Sequence, residues 1–329
     1  MKKTVLSSTG GPDVFQIVEV PDPEPGPEQV RVNIQAVGLN WSETMIRRGD
    51  WPMDLGGGFT PGCEAAGIVE EVGESVQSVA PGDRVAVFDV SAYSNPEQGT
   101  YAEKMVVDEQ RILKIPASVQ FAEASALPMA LLTAYDALIR HSPLPESGNV
   151  VVTACTGAVG IAALLIARMK GLRAVGTSRS EDKLDLVRRL GCEAVAAHDP
   201  KELAEKVTQC LGGAGPDYVF DPVQGTLAEE LLSIMESNGT YVFYGNLGGE
   251  TFTLPAGFLF RQLKVHGYVV LANLADPQDL QEAWSELYPL IEENALPIPV
   301  AKTFAFPDFA AAHRAMEEHA HFGKLVVVR

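Results

Sequence analysis

The chain has 329 residues, of which 46% are hydrophobic and 21% charged, an ordinary balance for a globular protein that is large enough for two domains. Its formal net charge of −18 argues against nucleic acid or an anionic membrane as a main partner, because both require a basic surface. Four cysteines, at positions 63, 155, 192 and 210, are too few and too scattered for a disulfide scaffold or a closely spaced structural zinc site.

The first third of the chain is expected to be rich in β-structure. It opens without an apolar segment of signal-peptide length, so we expect a cytoplasmic protein. Short strand-like runs then alternate with Pro, Gly and Asp, as strands joined by turns do. These runs cover residues 3–7, 15–20, 29–37, 65–72, 84–88 and 101–107. Residues 54–59, with three glycines, are expected to form a mobile lip over the ligand cleft.

From about residue 121 the pattern changes to alternating helices and strands. Such repetition predicts an α/β domain with a doubly wound parallel sheet, whose ligand lies beyond the carboxyl ends of the strands. Helices are predicted over residues 123–139, 161–170, 181–190, 201–211, 227–236 and 277–294, and strands over 150–152, 173–177, 193–197, 217–221, 239–244 and 324–328. The α/β core is expected to be complete by about residue 265. The terminal strand should therefore return to the β-rich domain, which makes the α/β domain an insertion.

A strand, a tight turn and a helix start are predicted around residue 155. Residues 150–152 are three valines, typical of a buried parallel strand, and Gly157 and Gly160 follow where the helix begins. Such a turn brings backbone N–H groups against a pyrophosphate, although Cys155 stands where the first glycine of a G-x-G-x-x-G motif would be. The turn predicts a dinucleotide site that consists of Thr156, Gly157, Ala158, Val159 and Gly160.

Further motifs are spread over nearly the whole chain. They are Gly38-Leu39-Asn40-Trp41, Arg47-x-Gly49, Pro61-Gly62-x-Glu64-x-x-Gly67, Val72-Gly73, Gly82-Asp83-Arg84-Val85, Gly99-Thr100-Tyr101-Ala102-Glu103, Thr133-Ala134-Tyr135, Lys183, Leu190-Gly191 and Gly323-Lys324. Together with the glycine turn, they resemble the zinc-independent quinone oxidoreductase branch of the medium-chain dehydrogenase/reductase superfamily, which includes ζ-crystallin-like proteins and enoyl reductases.

The resemblance implies a GroES-like, β-rich substrate domain formed by residues 1–119 and 266–329, with an inserted Rossmann domain at 120–265 that binds NADPH. It also implies hydride transfer to a small-molecule quinone, α,β-unsaturated carbonyl or enoyl thioester, and usually a homodimer, with a tetramer as the other possibility. A second hypothesis stays open, that of a dinucleotide-binding protein with little turnover and a sensor or structural role.

Zinc-dependent relatives use a Cys near position 40 and a His beside the glutamate at position 64. In this chain Asn40 and Cys63 occupy those places, and one soft ligand without partners is a poor metal site. We therefore expect no zinc. Glu64 itself is expected to be structural and bonded to nearby backbone.

The end of the second strand of the inserted domain predicts the choice of cofactor. An NAD site commonly places Asp or Glu there, whereas a 2′-phosphate needs a cation and no acid. The chain offers Ser178, Arg179 and Lys183, which favour NADPH over NADH. His198 stands where relatives often place a Tyr against the adenosine phosphate, so it is included among the predicted contacts.

The resemblance also points to residues near the nicotinamide and the substrate. Contacts with the nicotinamide end are expected from Asn40, Thr133, Gly245, Asn246 and Lys324, and Asn40 and Thr133 are the candidate catalytic residues. No strong acid–base pair is obligatory for enone reduction, because positioning and desolvation supply much of the catalysis. Two alternatives stay open: another group, such as Asn40, Thr133 or Tyr244, donates to the substrate, or the substrate is larger and more apolar.

The substrate pocket is expected to be largely apolar. Relatives often have tyrosines at the positions of Met45 and Trp51, where a phenol could donate to the substrate. Trp41 and Trp51 could stack on a flat substrate or belong to the hydrophobic core, and both readings stay open. The predicted pocket residues are Trp41, Met45, Trp51 and Tyr244.

Overall fold

The computed structural model describes residues 1–51, 58–95, 98–249 and 251–329. Of the loop predicted at 54–59, residues 54–57 lie outside these ranges. The chain divides into a first unit, Met1–Leu132 with Leu274–Arg329, and a second unit, Thr133–Asn273. The domain boundaries expected after residues 119 and 265 both lie earlier in the chain than this division.

The N-terminal part of the first unit consists mainly of short strands. Each of the six predicted strand-like runs overlaps a strand of the structure. The strands are β1 (Lys2–Leu6), β2 (Phe15–Glu19), β3 (Gln29–Gly38), β4 (Glu64–Val72), β5 (Arg84–Phe88), β6 (Lys104–Asp108) and β7 (Ile112–Lys114). Helices α1 (Trp41–Arg48), α2 (Phe121–Ala124) and α3 (Pro128–Tyr135) lie in or begin in this part of the chain. Alternate side chains of β3, such as Val30, Val32 and Ile34, are buried, as expected for a strand with one face on a core.

The single helix predicted over residues 123–139 is wrong, because the structure breaks it. Helix α2 starts with a capping box between Gln120 and Glu123, and α3 begins separately at Pro128. Proline has no N–H to continue a helix but suits a first helical position, which explains the new start. A π-helical turn follows over Asp136–His141, and the division between the units falls after Leu132, within α3.

The second unit contains a parallel sheet. Its strands are β8 (Asn149–Val152), β9 (Arg173–Ser178), β10 (Glu193–Ala196), β11 (Tyr218–Asp221), β12 (Thr240–Phe243) and β13 (Lys264–Gly267). Its helices are α4 (Ala158–Met169), α5 (Leu184–Arg189), α6 (Pro200–Cys210), α7 (Thr226–Ile234), α8 (Phe258–Arg261) and α9 (Val270–Asn273). The strand order β10-β9-β8-β11-β12-β13 confirms the predicted doubly wound parallel sheet. The chain adds β9 and β10 on one side of β8 and then β11, β12 and β13 on the other side, so the strand order reverses beside β8. Strand β13 carries this sheet past residue 265, where the sequence predicted that it would be complete.

The chain ends with α10 (Pro277–Glu292), β14 (Val300–Ala305), α11 (Phe309–Glu317) and β15 (Lys324–Val328). Strand β15 pairs antiparallel with β3, so the predicted return of the terminal strand to the first unit is confirmed. It completes a seven-stranded sheet in the order β14-β15-β3-β4-β5-β7, with β6 also paired to β3. In the described ranges, no helix is both long and apolar enough to cross a membrane.

Candidate functional site

In the first unit, a buried polar cluster forms where β3 ends and α1 begins. Asn40 is the N-cap of α1, with an extended backbone, and its N–H donates a hydrogen bond to the Glu43 carboxylate. An N-cap residue with a glutamate three positions later is a capping box, which satisfies backbone donors that a helix start leaves free. The helix start therefore fixes both side chains, and both are buried.

Glu64, at the start of β4, and Lys324, at the start of β15, form a buried ion pair. The Lys324 ammonium also donates to Asn40 Oδ1 at 2.6 Å. Asn40 Nδ2 donates to Glu64 Oε1 at 2.9 Å and to Glu43 Oε1 at 3.3 Å. The Met129 backbone N–H donates to Glu64 Oε2 at 2.8 Å, so Glu64 is bonded to backbone as expected. The Asn40 amide is thus held at both its oxygen and its nitrogen.

Gly38 permits this close approach. A Cβ at this position would lie 2.1 Å from the Ser125 carbonyl oxygen and 2.9 Å from Glu64 Oε1. No side chain fits there, so β3 can run directly under the ion pair only because residue 38 is glycine.

A second set of contacts extends the cluster through Tyr93. Its hydroxyl donates to Glu43 Oε1 at 2.8 Å and lies 2.6 Å from Ser42 Oγ, and Cys63 Sγ donates to it at 3.1 Å. Burial raises the pKa of Glu43 to about 7. Burial also holds the pKa values of Tyr93 and Cys63 well above their usual ranges, so both groups are neutral near pH 7.

The side chains around Asn40 and Cys63 do not fit a zinc site. Cys63 offers one soft ligand, and the carboxylate beside it, Glu64, already bonds Lys324. The ammonium places a positive charge beside Asn40 Oδ1, where it would repel a divalent cation. Across the described ranges, no group of three or more His, Cys, Asp or Glu is arranged to hold a metal ion.

In the second unit, the predicted strand, turn and helix start around residue 155 are confirmed. Gly157 is the N-cap of α4, with φ −81°, and a Cβ added to it would meet only the Ala154 carbonyl oxygen, at 3.6 Å. At Gly160 a Cβ would lie 2.8 Å from that oxygen and from the Cys155 Cα, so this glycine allows the helix to pack on the turn. Half-buried positions extend over Thr156, Gly157, Ala158 and Val159. An accessible helix start of this kind suits an anionic phosphate group, because first-turn N–H groups lack intrahelical acceptors.

Polar and basic side chains follow the neighbouring strands at the same edge of the sheet. Ser178 ends β9 opposite Ala196, which ends β10, and these strands lie in parallel beside β8. Arg179 and His198 are exposed just beyond the two strand ends. Lys183 is half-buried, and burial lowers its pKa. The structure therefore brings all four residues predicted for the 2′-phosphate to the strand ends or to the chain that follows them.

The loops after β11 and β12 are joined by hydrogen bonds. Asp221 accepts from the hydroxyls of Thr153 and Tyr241 and from the backbone N–H of Gln224, at 2.7 Å for the last. The Gln224 amide donates to the Gly245 carbonyl at 2.5 Å. These contacts hold Gly245 near the carboxyl end of the sheet, and Asn246 beside it is exposed.

The other predicted site residues differ in their surroundings. Trp41 packs against the hydrophobic core of the first unit, with its ring 4.9 Å from that of His319, and Met45 is half-buried. The Trp51 ring lies 5.5 Å from that of Tyr93. In the second unit Thr133 is buried within α3, and the half-buried Tyr244 stacks on Phe220 at 4.0 Å.

Four polar residues of the two candidate sites were not predicted from the sequence. They are Ser42, Glu43 and Tyr93 in the first unit and Asp221 in the second. The Asn-x-x-Glu spacing of a capping box could have identified Glu43. Tyr93 reaches Glu43 from 50 residues away, and no local pattern indicates such a contact.

Two protein-family models match the chain, an alcohol dehydrogenase GroES-like domain over residues 26–117 and a zinc-binding dehydrogenase domain over residues 158–292. Among curated proteins, the chain is 30% identical over 332 residues to a quinone oxidoreductase of Pseudomonas aeruginosa, with 99% of each chain covered. It is 28% identical over 335 residues to a 2-haloacrylate reductase of a Burkholderia species, with 98% of each covered.

Solved structures give the same picture of the fold. Escherichia coli quinone oxidoreductase complexed with NADPH is similar with a TM-score of 0.88 and 26% identity, and both chains are covered completely. An NAD-dependent alcohol dehydrogenase is similar with a TM-score of 0.87 and 30% identity, also over the full length of both chains. From its two matched domains and its full-length relatives, the chain belongs to the quinone oxidoreductase, or ζ-crystallin-like, branch of the medium-chain dehydrogenase/reductase superfamily.

Proposed function

We propose that this protein is an NADPH-dependent oxidoreductase that transfers a hydride to a quinone or an α,β-unsaturated carbonyl compound without zinc. The observation that carries the proposal is the glycine turn at the start of α4, on a parallel sheet, in a chain that aligns over its full length with quinone oxidoreductases. The 2-haloacrylate reductase among its relatives extends the substrate class to activated alkenes. Enoyl and alkenal reduction therefore belong to the same proposal.

The second unit is proposed as the cofactor domain. Its accessible helix start, formed by Thr156, Gly157, Ala158, Val159 and Gly160, would hold the pyrophosphate of NADPH. When bound, NADPH supplies the hydride for the reduction. The resemblance to an NADPH-complexed quinone oxidoreductase supports this cofactor.

The phosphate that distinguishes NADPH from NADH would be held beyond β9 and β10. Arg179 and Lys183 supply positive charge, and Ser178 supplies a hydroxyl in place of the acid of an NAD site. His198 is proposed as a further contact from the loop after β10. Gly245 and Asn246, held by the bond from Gln224, would contact the nicotinamide carboxamide.

The first unit is proposed as the substrate domain. Asn40 of this unit and Thr133 of the second unit remain the proposed catalytic residues, and Asn40, Thr133 and Lys324 are also proposed as contacts of the nicotinamide end. The hydrogen bonds to Glu43, Glu64 and Lys324 keep the Asn40 amide in one orientation, which favours a positioning role. The proposed pocket residues are Trp41, Met45, Trp51 and Tyr244.

The electrostatics of the cluster support a reaction that does not use zinc. Lys324 supplies a fixed cation beside Asn40 and Glu64. A ketone or quinone carbonyl conjugated to a C=C bond is already electrophilic, so hydrogen bonds to the developing enolate can replace a Lewis acid. This distinguishes the proposed reaction from oxidation of an unactivated alcohol.

We also propose a cytoplasmic homodimer. All four cysteines are free thiols, as is usual in a reducing compartment. Strand β13 lies at one edge of the second unit's sheet, and Leu259 and Phe260 of the preceding α8 are 75% and 87% exposed. An unpaired edge beside exposed apolar side chains favours association with a second copy.

The test is NADPH oxidation by the purified protein with para-benzoquinone, cyclohexenone and a crotonyl thioester, in the presence of EDTA and with NADH as a control. Turnover that survives EDTA and prefers NADPH is expected, and the best of the three acceptors identifies the subclass. Tight NADPH binding without turnover on any acceptor would contradict the reductase proposal. Failure to bind either nucleotide would contradict the assignment of the glycine turn.

A further inference from the structure

The buried hydroxyl and carboxyl groups around Tyr93 form a chain that leads from the interior to a more accessible position. We propose that Glu43, Tyr93 and Ser42 are a proton relay, in which the Ser42 hydroxyl protonates the anion formed when the substrate is reduced. This inference rests on the proposed function and assigns a proton donor to that reaction.

The geometry of the relay is continuous. Glu43 Oε1 and the Tyr93 hydroxyl are 2.8 Å apart, and the Tyr93 hydroxyl and Ser42 Oγ are 2.6 Å apart. Both distances lie in the range of O–H···O hydrogen bonds. Glu43 is completely buried, whereas Ser42 is only half-buried, on the first turn of α1 beside Asn40. Protons can therefore pass from an interior carboxyl to an outer hydroxyl without crossing a gap.

Charge balance makes Glu43 the proton reservoir. The cluster contains two carboxylates and one ammonium, and Lys324 pairs with Glu64, while no cation of the described residues forms an ion pair with Glu43. Burial is the main reason that its pKa rises to about 7. The attraction of Lys324 and the hydrogen bonds from Tyr93 and the Asn40 N–H oppose the rise, and repulsion by Glu64 adds to it. Glu43 therefore populates both protonation states near neutral pH, as a proton donor should.

The protonation state of Glu43 sets the direction of the hydrogen bonds. When Glu43 is ionised, Tyr93 donates to it, and Ser42 and Cys63 donate to Tyr93. When Glu43 is protonated, it can donate to Tyr93, and Tyr93 then donates to Ser42, whose own proton is free to point outward. Protonated Glu43 thus prepares the Ser42 hydroxyl as a donor.

The proton balance closes without another reagent. Hydride addition leaves one negative charge on the substrate oxygen, and the Ser42 O–H bond breaks as a new O–H bond forms there. The product is a hydroquinone from a quinone, or an enol from an enone; the enol then becomes the ketone by moving this proton from oxygen to the α-carbon, with no further proton consumed. Ser42 takes the proton of Tyr93, and Tyr93 takes that of Glu43, so the net change is one proton lost by Glu43. Water returns this proton along the same hydroxyls after the product leaves. Asn40 cannot take this role, because both of its amide hydrogens are directed at carboxylates and an amide does not release a proton near pH 7.

The first test uses the protein without nucleotide, so its outcome is independent of the proposed function. Infrared difference spectra should show a protonated carboxyl band that disappears as the pH rises through about 7. The band should be absent in Glu43→Gln, which keeps a side-chain oxygen for the capping box, and shifted in Tyr93→Phe, which loses one hydrogen bond. A wild-type spectrum without such a titrating band would overturn the relay.

The second test is the pH profile of kcat with saturating NADPH and cyclohexenone. Wild-type kcat should fall as the pH rises through about 7, because protonated Glu43 is the active form. Glu43→Gln, Tyr93→Phe and Ser42→Ala should each lower kcat at pH 6 at least about a hundredfold, the lower limit typical of a proton donor, and lose this pH dependence. Tyr101→Phe is the matched control, since it removes another buried hydroxyl of this unit, bonded to His313, and should keep the wild-type profile. Relay variants with the wild-type rate and profile would overturn the proposal.

Discussion

The two glycines of the α4 turn should respond differently to alanine. At Gly160 the new Cβ would lie 2.8 Å from both the Ala154 oxygen and the Cys155 Cα, closer than real Cβ contacts, so α4 would have to move. Overpacking of this kind costs about 1–3 kcal/mol. At Gly157, φ is −81° and the nearest atom would be 3.6 Å away, so alanine fits the free protein.

For Gly157→Ala we therefore expect the free energy of unfolding to change by less than about 0.5 kcal/mol. Binding of NADPH should nevertheless weaken, because the Cβ occupies the space through which the pyrophosphate would approach the backbone. A tenfold increase in Kd, which corresponds to about 1.4 kcal/mol, is the smallest effect that we expect. Gly160→Ala should show the larger loss of stability.

Urea unfolding measures the stability of both variants, and titration of NADPH fluorescence measures the Kd. The decisive result is the Kd of Gly157→Ala, since this variant separates binding from folding. A Kd equal to that of the wild type would mean that the turn does not hold the phosphates. A Gly160→Ala variant as stable as the wild type would refute the packing argument for that glycine.

Three further predictions concern charge. Burial lowers the pKa of His313 to about 3, so only unfolded chains take up its proton below pH 6.5, and stability should fall by about 2 kcal/mol between pH 7 and about pH 5. Urea titrations of His313→Gln should show a smaller fall in the free energy of unfolding between these pH values. A fall equal to that of the wild type would mean that His313 does not cause it. Arg179→Ser should raise the Kd of NADPH about tenfold and leave that of NADH nearly unchanged, and equal effects on both would refute phosphate recognition. Lys324→Met should lower the free energy of unfolding, measured with urea, by about 3–5 kcal/mol, because it leaves the buried Glu64 carboxylate unpaired. Adding Glu64→Gln to this variant should restore much of the loss. No restoration would mean that Lys324 stabilises the fold only by filling space.

The α/β part of the fold could be predicted because its signals are local. Three consecutive valines mark β8, and Gly171 and Gly191, both with positive φ, close the two helical segments where the sequence predicted. The break before α3 was missed, although Pro128 and the Gln120–Glu123 spacing both indicated it. Strand β13 was missed because its four residues include a lysine, a histidine and a glycine, which give no apolar run.

The candidate site could be predicted only in part, for a similar reason. The glycine turn is one short segment, and the basic residues after β9 form another. Each could therefore be predicted from residue type and spacing. Asn40 and Glu43 are contacted from three distant parts of the chain. Glu64 and Lys324 bond Asn40 and are brought to it by the antiparallel pairing of β3, β4 and β15, and Tyr93, from the chain after β5, bonds Glu43. Tertiary contacts of this kind leave no periodicity in the sequence.

The position of Lys324 limits the chemistry available to the cluster. A zinc ion provides both positive charge and an open coordination position, whereas an ammonium provides charge and hydrogen bonds but cannot bind and polarise an alkoxide in the same way. Because Lys324 neutralises one of two buried carboxylates, the other, Glu43, is left able to bind a proton near neutral pH. A cluster that holds the Lys324 ammonium in place of a metal ion is thus poorly suited to alcohol oxidation. It suits a reaction that ends with the delivery of one proton, as the reduction of a quinone or enone does.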